Sequence, residues 1–496
     1  MSACVEDYLA AQVASRAEAP AVSDVTGIAL SYGGLDAASD ALVSVLEDAG
    51  VQKADRVLIL SENCVAAVAL LFACWKLGAR AIPVNARQTE SEVDRILAHA
   101  EPAAVFMTTS VSKDAKAHAT RMGGHEISGD YGSLHMKALT SKPDAEGDVA
   151  VLLYTTGTTG DPKGVMLTHA NVRFGGLTSA NLRNMKHEDV IYGVLPTTHV
   201  FGLCSVVVAA VYAGAPVRLA PRFEVAKLYA ALRDGVTLFS GVPQMHALLM
   251  QYTKEQGLEK LGSDTLRYVS SGAAPLDPTW KREAEAFYGV AIQNGYGMTE
   301  TTAGTSATSN PIGNPDTSVG PALPGIEIGI DEDVPGGGAG VGEVITRGPH
   351  IMKGYYKNPE ETAKVLDANG WMHTGDLGRI DDQGLLHIVG RSKELIIHGG
   401  FNVYPPEVEA ALNDHPKVVQ AAVVGRRKDG DEEVLAFVQL ADLEALDAES
   451  LGAFVSERLV GYKRPKRYVF AKVLPAAPTG KILKHKLVET FADQLD

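Results

Sequence analysis

The sequence predicts an α/β protein with a large N-terminal domain of parallel-sheet βαβ subdomains plus a β-rich subdomain, followed by a small C-terminal α+β domain. Two patterns carry this prediction. Short apolar runs alternate with helical patterns up to about Val319, which is typical of βαβ units. Beyond that point glycine and proline become dense and the apolar runs alternate, which indicates a β-rich region. The 496 residues also exceed the size of one compact core.

The alternation begins near the N-terminus. Helices are predicted over Tyr8 to Arg16, Tyr32 to Ala49, Asn63 to Leu77 and Ser91 to Ala100. Strands are predicted over Arg56 to Ser61, Ala79 to Val84, Ala103 to Thr108, Val149 to Tyr154, Val190 to Leu195, Pro216 to Leu219, Thr237 to Ser240 and Tyr268 to Ser270. The apolar stretch from Val200 to Val217 contains glycine and proline, so it predicts buried core rather than a membrane span.

The second half predicts different units. Ile326 to Ile330 and Gly342 to Arg347 are alternating strands, joined by an exposed turn. We place the domain boundary at Gly390 to Lys393, which gives an N-terminal domain of residues 1–392 and a C-terminal domain of residues 393–496. In the C-terminal domain, helices are predicted over Glu407 to Asn413 and Ala448 to Leu459, and strands over Val418 to Val424, Glu433 to Leu440 and Tyr468 to Val473.

Composition narrows the function. The net charge is −15, from 45 Lys and Arg against 60 Asp and Glu, which argues against nucleic-acid binding. A phosphate-bearing ligand would therefore need local backbone N–H groups, a metal ion or a few placed cations. The four cysteines lack metal-ligand spacing, and no basic segment followed by an apolar one marks a signal peptide. We expect free thiols, a cytoplasmic location and no integral membrane segment, and the sequence leaves a homo-oligomer open.

A run of glycine, threonine and lysine follows the predicted strand ending at Tyr154. It reads YTTGTTGDPKG, from Tyr154 to Gly164. Glycines let the backbone approach a ligand, so N–H groups and hydroxyls can surround phosphate oxygens while Lys163 adds positive charge. The spacing is not that of a Walker A loop. The run therefore predicts a phosphate-binding loop of another kind.

A second run, NGYGMTE, extends from Asn294 to Glu300. Glu300 stands in a glycine-rich and otherwise uncharged segment, where a carboxylate needs a partner. Mg²⁺ is a natural one because it prefers oxygen ligands and shared phosphate contacts. Downstream, Asp376 can accept hydrogen bonds from two hydroxyl groups and Arg391 offers a guanidinium fork.

With these motifs in this order over nearly the whole chain, the sequence resembles the adenylate-forming superfamily of acyl-CoA synthetases, peptide-synthetase adenylation domains and luciferases, and among these the fatty acid and benzoate-type CoA ligases. The resemblance implies that ATP is bound by Mg²⁺ on Glu300, by Thr299 at the α-phosphate, and by a larger set of residues. That set is Thr155, Thr156, Gly157, Thr158, Thr159, Gly160, Lys163, Gly272, Ala273, Ala274, Asn294, Gly295, Tyr296, Gly297, Asp376 and Arg391.

The resemblance also implies two half-reactions. Lys481 would serve the adenylation of a carboxylic acid by ATP, and His199 would stand between the carboxylate site and the coenzyme A tunnel. The small domain would then rotate about Lys393, withdraw Lys481 and bring Gly399 and Gly400 to the thiol tunnel, where CoA displaces AMP. Arg87, Tyr462 and Arg464 match the CoA contacts of benzoate-type ligases, although the segment from Arg426 to Gly430 lacks their nearby aromatic residue.

For the carboxylic acid substrate, the sequence predicts only a chemical class. The residues that the resemblance places around the acyl group include no Arg, Lys, Asp or Glu, so an apolar fatty or aryl acid fits better than a dicarboxylate or an amino acid. They are His199 to Gly202, Ser240 to Pro243, Ser271, Gly272, Met298 and Thr301 to Gly304. Two alternatives stay open: transfer of the acyl group to a carrier protein instead of CoA, and a non-catalytic protein that senses adenylates. The presence of Lys481, Glu300 and Asp376 speaks against the sensor.

Overall fold

The computed structural model describes residues 3–140, 146–156, 162–272, 276–302, 304–428, 431–476 and 482–495, without the side chains of Thr156 and Lys428. Helices and strands alternate in its first part. In chain order they are α1 (Glu6–Arg16), β1 (Pro20–Ser23), β2 (Ala29–Ser31), α2 (Tyr32–Asp48), β3 (Arg56–Ser61), α3 (Val65–Leu77), β4 (Arg80–Asn85), α4 (Glu90–Ala100), β5 (Ala104–Met107), α5 (Lys113–Met122), β6 (His125–Gly129), β7 (Gly132–Ala138), β8 (Val149–Thr156) and β9 (Pro162–Thr168).

The alternation continues to the middle of the chain. The elements are α6 (His169–Leu182), β10 (Ile191–Gly193), α7 (Val200–Gly202), a π-helix (Leu203–Val208), α8 (Ala209–Ala213), β11 (Val217–Leu219), α9 (Val225–Arg233), β12 (Leu238–Gly241), α10 (Pro243–Glu255), β13 (Tyr268–Gly272), α11 (Pro278–Tyr288), β14 (Ile292–Tyr296), a 3₁₀ turn (Thr299–Thr301) and β15 (Ser306–Ala307).

The rest of the chain is richer in strands. Its elements are β16 (Glu327–Asp331), β17 (Gly342–Arg347), β18 (Gly354–Tyr355), α12 (Pro359–Val365), β19 (Met372–Ile380), β20 (Leu386–Arg391), a 3₁₀ turn (Ser392–Glu394), β21 (Ile396–His398), β22 (Phe401–Val403), α13 (Pro405–Asn413), β23 (Val418–Lys428), β24 (Asp431–Leu440), α14 (Ala448–Ser456), a 3₁₀ turn (Gly461–Lys463), β25 (Arg467–Ala471), α15 (Lys484–Thr490) and a 3₁₀ turn (Ala492–Gln494).

Two eight-stranded sheets form the large domain. One has the order β15-β14-β13-β12-β10-β11-β1-β2 and the other β18-β9-β8-β4-β3-β5-β7-β6. Both are parallel at the centre and end in antiparallel strands. Residues of both sheets share one apolar cluster that also contains α3, whose residues from Val65 to Trp75 are all buried. A helix that is apolar on every side belongs inside such a core. The predicted α/β class is confirmed.

A third sheet, of order β16-β17-β19-β20, is antiparallel throughout and forms the predicted β-rich part. Its register places Asp376 on β19 opposite Arg391 on β20. The small C-terminal domain has a three-stranded sheet, β23-β24-β25, and a two-stranded one, β21-β22. Two separate apolar clusters lie around the three-stranded sheet, so this domain has a core of its own.

The apolar stretch from Val200 to Val217 is buried core, as predicted, but its middle turn is wider than an α-helix. Leu203–Val208 is π-helical. The Ser205 carbonyl accepts a bond from the guanidinium of buried Arg183, and the Ser205 hydroxyl accepts one from Ser179 at 3.0 Å. Side-chain donors thus compensate a carbonyl in a turn where the ordinary helical ladder is interrupted.

No helix among the described residues is long and apolar enough to cross a membrane. The four cysteines are free thiols, three of them buried. Among the predicted elements, Arg56–Ser61 and Gly342–Arg347 match residue for residue. The predicted strand from Val190 to Leu195 is shorter, at Ile191–Gly193, because the chain turns after Leu195 to begin the segment that carries His199.

Candidate active site

The site is built where neighbouring parallel strands end. β12, β13 and β14 finish at Gly241, Gly272 and Tyr296, and the register pairs Gly272 with Gly295. In open α/β sheets, ligands bind outside the carboxyl ends of the strands. Each of these strands also ends in or near a glycine, so the backbone can approach a ligand closely there. The predicted nucleotide residues from Asn294 to Glu300 follow directly from this edge.

Glu300 lies in the 3₁₀ turn after β14 and is 7 % exposed. Its Oε1 accepts a hydrogen bond of 2.9 Å from the Tyr355 hydroxyl, and its backbone carbonyl accepts one of 2.9 Å from the Met352 N–H. Burial raises the pKa of the Glu300 carboxyl, and the Tyr355 bond partly opposes this. A buried carboxylate whose hydrogen-bond donors are neutral fits a divalent cation, which would restore the charge balance that burial disturbs.

Tyr296, Asp376 and Arg391 come together as a second group. The Tyr296 hydroxyl donates to Asp376 Oδ2 at 2.7 Å, and Arg391 Nε lies 3.1 Å from Asp376 Oδ1. Asp376 is 6 % exposed, whereas the Arg391 side chain is 48 % exposed. Burial, and after it the Asp376 carboxylate, raises the pKa of Tyr296 well above its ordinary value, so the phenol stays a donor. The arrangement offers a fixed carboxylate beside an aromatic ring, which suits a ribose and a base.

Lys163 lies on β9, opposite Thr155 on β8. Its ammonium is 5.1 Å from the centroid of the Tyr355 ring and 2.5 Å from Glu361 Oε2. Tyr355 therefore contacts both Lys163, the predicted phosphate-binding lysine, and Glu300, the predicted metal ligand. Thr156 is the last residue of β8. The predicted loop residues Gly157, Thr158, Thr159 and Gly160 lie outside the described residues.

Of the remaining residues of the second motif, Asn294 and Thr299 are buried at the sheet edge and Gly297 is not. Thr299 is 6 % exposed, Gly295 pairs with Ala307, and Gly297 is exposed. Asn294 is 2 % exposed, with its side-chain amide donating to Ser318 O at 3.0 Å and its Oδ1 accepting from Gly295 N at 3.0 Å. The amide of Asn294 thus holds the loop after β15 in place.

Buried hydroxyls without partners lie at the same strand ends. Among the described residues, the hydroxyls of Ser271, Thr305 and Ser306 are buried and have no hydrogen-bond partner. Ser271 precedes Gly272 on β13, and Ser306 pairs with Tyr296. Buried polar atoms are rarely left unpaired in folded proteins, so these hydroxyls are available to a polar ligand.

The predicted acyl wall is aromatic and uncharged. His199 caps the short helix α7 and accepts a bond from the Phe201 N–H at 3.3 Å. The Phe201 ring covers Gly272, since a Cβ there would lie 3.1 Å from Phe201 Cε1. Behind Gly241, His246 is fully buried and bonds the Tyr288 hydroxyl at 2.8 Å. Burial lowers the pKa of His246 to about 4, so the ring is neutral and offers no cation.

Residues of the predicted hinge and tunnel begin the small domain. Lys393 is exposed, in the 3₁₀ turn that follows Arg391. Gly399 and Gly400 form the β21–β22 turn with φ angles of 58° and 81°, and nothing lies within 4 Å of a Cβ added at either. Lys484 binds Glu394 at 3.0 Å and Glu409 at 2.8 Å, which ties the residue after Lys393 to α13. Lys481, Ala273 and Ala274 lie outside the described residues.

The predicted CoA residues are each engaged locally. Arg87 Nε lies 3.3 Å from Glu62 Oε1, an oxygen that Arg222 also binds, at 2.7 Å. Tyr462 stacks on Phe401, with ring centroids 4.6 Å apart and Phe401 57 % exposed. Arg464 donates to the carbonyls of Ser456, the last residue of α14, and of Leu459 just after it. Tyr462 is thus partly buried beneath the exposed Phe401 ring, and part of the Arg464 guanidinium is used within the domain.

Sequence reasoning missed two residues, Tyr355 and Glu361. They lie in the segment GYYKNPEET, from Gly354 to Thr362. Glu361 is 198 positions from Lys163 in the chain and Tyr355 is 55 from Glu300, so spacing gave no sign of either contact. The paired tyrosines beside an acidic helix start were the available signal.

Together, this two-domain fold and this site define an adenylate-forming enzyme. The profile of the AMP-binding enzyme family matches residues 9–356 and that of its C-terminal domain matches residues 407–481, so the chain belongs to the AMP-binding enzyme family. Its similarity to known proteins runs through nearly the whole chain.

Two relatives and one solved structure illustrate this similarity. A long-chain-fatty-acid–CoA ligase of Bacillus subtilis is 33 % identical, over 90 % of this chain and 88 % of its own. The 4-coumarate–CoA ligase 5 of rice, Oryza sativa, is 32 % identical over 97 % and 94 % of the two chains. The structure of Bacillus subtilis o-succinylbenzoate CoA synthetase in complex with ATP and magnesium aligns with a TM-score of 0.81, at 28 % identity and over 97 % and 98 %.

Proposed function

We propose that this protein is an AMP-forming acid–CoA ligase, which adenylates an apolar carboxylic acid with ATP and Mg²⁺ and then transfers the acyl group to coenzyme A. The observation that carries the proposal is that three sheets each contribute one charged group: Tyr355 contacts both Lys163 and Glu300, and Tyr296, four residues before Glu300, bonds Asp376. These groups offer a cation for phosphates, a carboxylate for a metal and a carboxylate for ribose hydroxyls.

In the first half-reaction, a carboxylate oxygen of the acid attacks the α-phosphorus, and pyrophosphate leaves with the bonding electrons. Lys163 binds the β- and γ-phosphates, Thr299 the α-phosphate, and Asp376 with Arg391 the ribose. Glu300 would hold Mg²⁺, which neutralises charge on the phosphates. Because Glu300 and Asp376 are buried and held by hydrogen bonds, most of the catalytic effect comes from positioning and fixed charge.

In the second half-reaction, the CoA thiolate attacks the acyl carbon and AMP leaves. We assign the two domains to residues 1–392 and 393–496, with rotation about Lys393. Before this rotation Lys481 serves adenylation. After it, Gly399 and Gly400 admit the pantetheine arm. Open space around both glycines supports this role. The partly buried Tyr462 ring, together with Arg87 and Arg464, is the proposed contact surface for the CoA nucleotide.

An apolar acid, fatty or aryl, is the substrate class that the acyl wall supports. Phe201 covers Gly272, and the buried His246 is neutral at physiological pH. A second carboxylate or an ammonium group in the acid would be left without a charged partner there, at a cost of several kcal/mol. We place the protein in the cytoplasm because it needs ATP and CoA and its cysteines are free thiols.

The test is turnover with a panel of acids. The purified protein is incubated with Mg-ATP, CoA and acetate, malonate, octanoate, palmitate, benzoate or cinnamate, and AMP and acyl-CoA are measured by mass spectrometry. We expect AMP and thioester with one of the apolar acids, and loss of both in Lys481→Ala. AMP without thioester would favour a carrier protein as acceptor. Release of ADP in place of AMP would overturn the proposal.

A further inference from the structure

Lys163 already has an anionic partner within the chain. Its ammonium lies 2.5 Å from Glu361 Oε2, and the two side chains are 22 % and 28 % exposed. Lys163 comes from strand β9 and Glu361 from the first turn of helix α12. The lysine that the proposed function assigns to the phosphates is therefore within ion-pair distance of a carboxylate of the chain itself.

The carboxylate of Glu361 is itself held in place. The Glu361 N–H donates to Asn358 Oδ1 at 3.1 Å, which caps helix α12, and Glu361 Oε1 contacts the ammonium of Lys364. Two lysines and a helix start thus fix this carboxylate. Lys163 therefore shares this carboxylate with Lys364.

The same segment of chain also reaches the proposed metal carboxylate. Met352 donates its N–H to the Glu300 carbonyl, Tyr355 donates its hydroxyl to Glu300 Oε1, and Tyr355 pairs with Val165 on β9. Residues 352–361 therefore span the distance between Glu300 and Lys163. Glu361 contacts Lys163 directly, whereas the contacts of Glu300 in this segment are with Met352 and Tyr355.

We propose that Glu361 is a positioning residue that holds Lys163 between catalytic cycles and competes with the nucleotide phosphates for it. The proposal rests on the proposed function, which assigns Lys163 to the β- and γ-phosphates. When pyrophosphate is released, Lys163 returns to Glu361, so the carboxylate weakens the hold of the site on this product. Weaker binding of pyrophosphate disfavours the reverse of adenylation.

The substitution Glu361→Gln tests this, because it keeps the size of the side chain and removes its charge. Binding of Mg-pyrophosphate and of Mg-ATP to the full chain is measured by calorimetry, with no acid present. We expect Glu361→Gln to bind Mg-pyrophosphate roughly two- to fivefold more tightly, as the loss of a partly exposed competing ion pair predicts. Glu360→Gln is the matched control, since Glu360 is the preceding residue of α12 and makes no ion pair with Lys163. Its affinity should equal that of the unsubstituted chain.

A double-mutant cycle separates competition from a structural role. In a Lys163→Met background, Glu361→Gln should leave the affinity for Mg-pyrophosphate unchanged. A lower melting temperature with no gain in affinity would mean that Glu361 only supports helix α12, and would overturn the inference. If the unsubstituted chain binds neither Mg-ATP nor Mg-pyrophosphate, the proposed function fails and the inference fails with it. If it binds both and Glu361→Gln gains nothing, only the inference fails.

Discussion

Tyr355 links two charged groups whose chemistry the proposed reaction needs. Its hydroxyl bonds Glu300 at 2.9 Å, and its ring lies under the Lys163 ammonium at 5.1 Å. Burial, and after it the Glu300 carboxylate, raises the pKa of this phenol, so it remains a hydrogen-bond donor across the physiological range. A tyrosine can do both tasks at once because its ring face attracts cations while its hydroxyl binds an anion.

Replacing Tyr355 by phenylalanine should separate these two tasks. The ring under Lys163 remains, but Glu300 loses its donor, and a hydrogen bond to a buried charge contributes about 1.5–3 kcal/mol. We expect the Mg²⁺ concentration needed for half-maximal AMP formation to rise by about tenfold, because Glu300 is no longer oriented. ATP binding through Lys163 should be largely kept. Titration of AMP formation with Mg²⁺ measures the effect. An unchanged Mg²⁺ dependence would mean that the hydroxyl does not orient the Glu300 carboxylate.

At the scale of elements, the α7 segment shows how tightly the site is packed from behind. Gly202 lies between His199 and the π-helix, and a Cβ there would be 2.2 Å from the Pro196 carbonyl oxygen and 2.5 Å from that of Leu195. Both atoms are backbone, which cannot rotate away as a side chain can. The start of this helical segment therefore requires glycine for lack of space.

Gly202→Ala should destabilise the large domain and displace His199. Overpacking of this kind costs about 1–3 kcal/mol, so the melting temperature should fall by several degrees. The control is Gly147→Ala, because a Cβ at Gly147 meets nothing within 4 Å. Calorimetric unfolding of the two variants gives the comparison. Equal melting temperatures would show that the chain near Pro196 can move aside.

The elements that could be predicted from the sequence are those whose buried residues form a continuous apolar run. The strand Arg56–Ser61 is buried at every position, and its apolar run predicted it to the residue. The strand β23 was predicted only to Val424, whereas it continues to Lys428. Its last residues are polar and pair with Glu433, Glu432 and Asp431 of β24. Cross-strand charge pairs of this kind stabilise a hairpin without leaving an apolar pattern.

The same distinction applies to the candidate site. Its motif residues were predicted because each motif is continuous in sequence and resembles a known family. Tyr355 and Glu361 were not, because each meets its partner only where the segment containing β18 and α12 passes beside β9. The sequence predicted that Asp376 and Arg391 both serve the nucleotide site. Their contact with each other follows from the β19–β20 register, which the sequence does not show.

At the scale of the whole molecule, two carboxyl groups face each other across the domains. Asp277 caps helix α11 in the large domain, with its Oδ1 accepting the Trp280 N–H at 2.7 Å, and Asp414 ends helix α13 in the small domain. Asp414 Oδ1 is buried without a hydrogen-bond partner, and the nearest cation, Arg458, is 3.9 Å from Oδ2. Burial, and beyond it the facing Asp414, raises the pKa of Asp277 to about 6.

This contact should make the domain arrangement depend on pH. A proton on Asp277 supplies the donor that the pair lacks, so the contact contributes fully below the ordinary pKa of 3.8 and loses its contribution as the pH rises through about 6. We expect the small domain to be docked more at about pH 5 than at about pH 8, measured by small-angle scattering or limited proteolysis. In Asp277→Asn the dependence should flatten. A pH response that persists in this variant would have to come from other groups.

The tie between Lys484, Glu394 and Glu409 has a mechanical consequence. Because it connects the residue after Lys393 to helices α13 and α15, we expect the chain that follows Lys393 to move together with these helices. In the proposed rotation about Lys393, the backbone angles that change would therefore be those of Lys393 and of the residues before it. Such a rotation would move the turn of Gly399 and Gly400 over a shorter path than the outer edge of the domain, so a small change of angle would replace one set of distant residues by another.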